Sequence, residues 1–277
     1  MTTGQTFALG AVAGSTILLG LPMARVRHLR VEPRAAMTAV ATGILVFLLW
    51  DVLSNGVEPV QGVLEAHRWG LFAWRVALLA GGFALGLMGL VYYDHWVKTR
   101  RASPLVGPGA AAVDEFRRER GIHGLSPTHR LALLIATGIG IHNFGEGLAI
   151  GQSAAAGELS LALVLIIGFG LHNTTEGFGI VGPMAGEAER PSWGFLGLMG
   201  LIGGGPTFIG TVIGQAWVSP ALEVVFFAVA GGSILYVVIQ LFEVCRRFSM
   251  PKLVGWSLLL GLLLGFGTDW VLVAAGA

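Results

Sequence analysis

Stretches of about twenty apolar residues recur along this 277-residue chain, each long enough to cross a bilayer as a helix. Hydrophobic residues make up 54% of the sequence and charged residues only 12%, against about 25% charge in a soluble domain. So little polar surface cannot coat a globule of this size, and so much apolar surface does not stay disordered. The reading is an all-α integral membrane protein. Eight spans are predicted, at 6–24, 35–53, 70–93, 131–152, 159–184, 193–214, 221–243 and 253–275. The 43 glycines, about twice ordinary usage, predict a tightly packed bundle, because small residues let membrane helices approach closely.

Charge sets the orientation. The first span has no Lys or Arg before it and is followed by Arg25, Arg27, Arg30 and Arg34. With both termini outside, 15 of the 17 basic residues fall on the inner side, and only Arg68 and Arg75 fall outside. The expected organisation is one membrane domain: spans one to three over 1–93, a cytoplasmic loop over 94–130, and spans four to eight over 131–277. His95, His123 and His129 in that loop read first as solvated histidines, with transient metal capture as the alternative. A net charge of +1 predicts no nucleic-acid partner, and no phosphate-cradling glycine loop is present. Cys245, the sole cysteine, makes neither an intrachain disulfide nor a thiolate cluster. The expected surroundings are the lipids of the cell membrane, crossed several times.

Ionisable groups inside lipid are costly and mark function. Span four reads His142-Asn143-Phe144-Gly145-Glu146-Gly147, and span five reads His172-Asn173-Thr174-Thr175-Glu176-Gly177. The pattern HNxxEG thus appears twice, 30 residues apart. Residues four apart share a helix face, so each helix presents an imidazole and a carboxylate together, with a carboxamide beside them. Two carboxylates meeting in lipid repel each other and lose hydration, and a divalent cation relieves both penalties. Imidazole and carboxylate donors suit zinc, iron or manganese. Further acids predict a route: Asp51 and Asp269 toward the outer side, Gln240 and Glu243 at the inner end of span seven. The metal is then cargo, and no catalytic cofactor is expected. The competing reading is an intramembrane metal-dependent hydrolase, which would use bound metal to activate water. A route spread from edge to edge favours transport over a pocket.

The two motifs resemble those of the ZIP (ZRT/IRT-like) family of divalent metal transporters, whose fourth span typically reads HNxPEG. His142, Asn143, Glu146 and Gly147 match it, and His172, Asn173, Glu176 and Gly177 match the related fifth-span motif. The resemblance implies an eight-helix bundle, a binuclear centre on these residues, a homodimer and an elevator-like motion of one bundle against another. In that reading His142, Glu146, His172 and Glu176 hold the primary ion, and Asn143 and Asn173 help a second. Three departures stand out: Gly145 replaces the family's proline, Gly205-Pro206 stands where Glu-Pro is usual, and Gln240 replaces an acid. The missing carboxylate at 205 predicts a second ion site that is weak or absent.

Overall fold

The computed structural model describes residues 2–26, 30–101, 125–155, 170, 173–184, 190–216 and 219–275. The helices are α1 (Thr3–Ser15), α2 (Val31–Glu65), α3 (Trp69–Arg101), α4 (Pro127–Ala155), α5 (173–181), α6 (Trp193–Ala216), α7 (Pro220–Arg247) and α8 (Pro251–Ala275). Among the described residues there is no strand. Seven helical stretches are long and apolar enough to cross a membrane. The expected fifth span, 159–184, is described only at 170 and 173–184.

Local chemistry sets several boundaries. Thr2 caps α1 reciprocally: its hydroxyl accepts from the Gln5 amide, and its own amide donates to Gln5 Oε1. Ser126 and Ser192 cap α4 and α6, accepting from the amides of His129 and Phe195. Left-handed residues turn the chain at His67 and Ser249, each with φ of 55°. Arg246 and Arg247 lie in the last turn of α7, where a cation meets the negative helix end.

The structure moves three expected limits. α2 runs to Glu65 instead of ending near residue 53, with Pro59 inside it. Ser54 Oγ donates back to the Trp50 carbonyl and Asn55 Nδ2 to the Asp51 carbonyl, so these polar residues satisfy themselves along the helix. Asp51 therefore lies mid-helix and not at a helix end. α3 continues to Arg101, so His95 belongs to a helix, not to a loop. His129 stands in the first turn of α4, its Nδ1 2.7 Å from Ser126 Oγ and its ring 4.6 Å from that of Phe195. It is a capping and packing histidine. His123 and the rest of the expected loop over 102–124 lie outside the described residues. Span one also differs: after Ser15 the helix tightens into 3₁₀ turns over Thr16–Leu19 and Leu21–Arg25.

The helices pack as two groups. In one, α4 and α1 pack on α6, and α5 joins them through the 3₁₀ turns after α1. In the other, α2 packs on α8, α7 and α3, and α3 packs on α7. Glycines stitch both. On α4 and α6, Gly140 faces the Ile202 carbonyl and Gly147 the Thr207 carbonyl, while Gly210 faces the Phe144 carbonyl in return. Gly14 and Gly204 face each other's carbonyls between α1 and α6. Gly43 and Gly261 do the same work between α2 and α8, as do Gly86 and Gly232 between α3 and α7. A side chain at any of these positions would run into backbone. This is the close approach that a glycine-rich membrane bundle uses in place of a hydrophobic driving force. The groups meet through α4 and α7 and through a shared apolar core that includes Leu48, Ile135, Ile139, Ile180, Ile234 and Val237.

Candidate metal centre

His142 and Glu146 share one face of α4, as their spacing requires, with His142 Nε2 3.3 Å from Glu146 Oε1. Glu176 reaches them from α5, its Oε1 4.0 Å from His142 Nε2. Asn143 ties the arrangement together. Its Nδ2 donates to Glu176 Oε2 at 3.0 Å and to the Gly203 carbonyl of α6 at 3.0 Å. All four side chains are buried, as is Asn173. Asn173 Nδ2 donates to the Ala13 carbonyl at 3.0 Å, and Thr174 Oγ1 to the Thr16 carbonyl at 3.3 Å. These bonds hold α5 to α1 where α1 loosens into 3₁₀ turns.

The amide groups of both asparagines thus face protein oxygens. Asn143 Oδ1, Asn173 Oδ1 and Glu146 Oε2 are buried without a hydrogen-bond partner among the described residues. Buried acceptors lacking donors are what a cation satisfies. Thr207 Oγ1 on α6 is in the same position, fully buried without a partner among the described residues. The sequence reading passed over Thr207. Its signal was weak: a lone threonine one turn beyond Gly203, whose own carbonyl holds Asn143.

Asp51 of α2 acts electrostatically on His142, Glu146 and Glu176, so the second helix group adds a third carboxylate to the field. Asp269 of α8 in turn interacts with Asp51. Three acids around one imidazole attract a cation and penalise an anion. Among the described residues no three His, Cys, Asp or Glu side chains converge closely enough to form a metal cage by themselves. His172, the remaining expected donor, lies outside the described residues.

The other expected positions separate. Asp51 and Asp269 are half-buried, in mutual electrostatic reach. Gln240 is half-buried and Glu243 exposed, both near the far end of α7 from Glu223. There Tyr236 Oη donates to Asp94 Oδ2 at 2.7 Å, a pairing of α7 with α3. Gly205 lies on the wrong side of α6 for the role its sequence context suggested. Gly203, Pro206 and Gly210 approach α4, whereas Gly205 turns to the opposite face, between the exposed Leu201, Phe208 and Ile209. A carboxylate there would point away from His142.

The sequence model of the family described as ZIP Zinc transporter matches residues 114–270, from ahead of α4 to near the end of α8. The chain belongs to the ZIP zinc transporter family. No curated protein matches it. Membership makes it a multi-pass membrane protein that transports divalent metal cations. The ZIP family is one of transporters and not of enzymes, so the hydrolase alternative gains no support from the match.

Proposed function

We propose that this ZIP protein carries zinc, or iron or manganese in its place, from outside the cell into the cytoplasm through a site on α4 and α5. His142, Asn143, Glu146, His172, Asn173 and Glu176 are its donors. The observation that carries the reading is the buried cluster of His142, Glu146 and Glu176, latched by Asn143 and faced by Asp51.

A buried set of carboxylates holds a hydrated divalent ion only if it replaces the waters. Imidazole nitrogen and carboxylate oxygen do so for borderline ions such as Zn2+. Asp269 and Asp51 form the outer approach, where acids raise the local cation concentration. Gln240 and Glu243 line the inner departure. Asn143 keeps Glu176 oriented, so that each arriving ion meets a preformed acceptor. Binding displaces protons from these donors, so acid weakens it and favours release. The orientation follows from the basic connections, which place both termini outside. The homodimer implied by the family likeness remains part of the proposal.

The test is metal uptake by purified protein in proteoliposomes, with several divalent ions in competition. The double variant Glu146→Ala with Glu176→Ala is expected to abolish uptake while the protein still elutes as a single species. Uptake that persists would remove the cluster from the route.

A further inference from the structure

Between the two helix groups, α4 and α7 run antiparallel along one seam. Near its middle, Gly138 touches Ser233. Further along, the ring of Phe227 fills the space that a side chain at Gly145 would take, and the rings of Phe144 and Phe226 meet at 4.6 Å. Beyond this apolar layer the seam turns polar. Gln152 Nε2 on α4 donates to Glu223 Oε1 on α7 at 2.9 Å. Gln152 is six residues past Glu146 on the same helix, so any movement of the site along or away from α7 must break this bond. Glu223 sits in the first turn of α7, where the helix end favours a carboxylate charge. The bond joins a carboxyl acceptor to an amide donor at the rim of the seam.

We infer that Gln152 and Glu223 are gating residues: their hydrogen bond holds the site-bearing helix α4 in register with α7, and releasing it opens the outer approach toward Asp51 and His142. Phe227 over Gly145 is the apolar layer beneath that latch. The inference rests on the transport reading for its purpose and on the basic connections for the word outer. The bond itself needs neither, and its test involves no metal.

Asn55 lies on α2 one turn from Asp51, to which its Nδ2 donates at 3.2 Å. A cysteine introduced there, in a Cys245→Ser background, reports water reaching the approach. The measurement is its rate of modification by a membrane-impermeant thiol reagent, from the outer side of oriented vesicles at mildly alkaline pH. Gln152→Leu removes the donor, and Gln152→Glu sets two carboxylates against each other. Both are expected to raise the rate by about tenfold or more, the weight of a hydrogen bond to a carboxyl group in a two-state equilibrium. The exchanged pair, Gln152→Glu with Glu223→Gln, restores an amide facing a carboxylate and is expected to return the rate to that of the parent. Unchanged rates in Gln152→Leu overturn the inference, and so does an exchanged pair that behaves like Gln152→Glu alone. An Asn55→Cys thiol that is never modified in any variant also overturns it. Loss of metal uptake in the parent protein would overturn the transport reading and leave the latch standing.

Discussion

The group of α1, α4, α5 and α6 and the group of α2, α3, α7 and α8 are stitched by the same device yet filled differently. In each, paired glycines bring backbones into contact: Gly147 and Gly210 in the first, Gly86 and Gly232 in the second. The first group encloses charged and amide side chains among its apolar ones. It buries His142, Asn143, Glu146, Asn173, Glu176, Thr207 and Thr211. In the second, the buried polar residues among those described are hydroxyl-bearing, Thr38, Thr42, Ser233 and Ser257, and its acids Asp51 and Asp269 remain half-buried. Close packing is thus not itself the mark of the site. Packing holds both groups, and what it encloses separates the group proposed to bind cargo from the group that frames it.

The comparison can be broken first by growing a side chain in each seam. Gly147→Val and Gly232→Val both force a branched chain into backbone. Each is expected to cost about 3 kcal/mol or more, read as a lower thermal midpoint in detergent. Only Gly147→Val is expected also to lower metal affinity in the surviving folded fraction, because its helix carries Glu146. Equal affinity loss in Gly232→Val would dissolve the distinction between the groups.

A smaller effect separates the amides. Asn143→Leu frees Glu176 and the Gly203 carbonyl from their shared donor. Metal affinity by titration calorimetry is expected to fall between about 10-fold and 100-fold, the range for a lost orienting partner. Asn55→Leu, in the second group, bonds only to Asp51 on its own helix and is expected to change affinity by a few-fold at most. Protons sharpen the contrast next. Donors must lose their protons to bind metal, so affinity falls as pH falls, by up to about tenfold per unit for each proton displaced. Asp51→Asn, outside the donor set, is expected to weaken binding without flattening that pH dependence. The smallest effect is Gly145→Ala. The added methyl meets Phe227 Cε1 at 2.9 Å, the far edge of a ring that can swing, and is expected to cost under about 1 kcal/mol of stability.

Much of this was legible in the residues. Apolar length gave the helices, and the repeated HNxxEG gave the side chains that the structure brings together as His142, Glu146 and Glu176. The overrun of α2 was hidden because Glu58, Pro59, Gln61 and Glu65 interrupt the apolar run beyond residue 53, although a helix longer than the bilayer can continue in water. At 35 residues it is about 52 Å long, against a hydrocarbon core of about 30 Å. The orientation of Gly205 was hidden because a motif fixes neighbours along the chain and not the face they share. Thr207 and the Gln152–Glu223 pair were hidden for a related reason: their meaning arises from partners on other helices, 71 residues away in the second case.

The hydrogen bonds from Asn173 and Thr174 to the Ala13 and Thr16 carbonyls reach outside the stretch that the family match covers. A version of this chain trimmed to 114–270 would keep every expected donor yet strip α1 from Gly204 and the 3₁₀ turns from Gly177, leaving bare backbone in oil. The shortest workable protein therefore keeps the segment that carries Ala13, Gly14 and Thr16. Anyone dividing the chain into fragments must supply the first twenty-five residues alongside the rest.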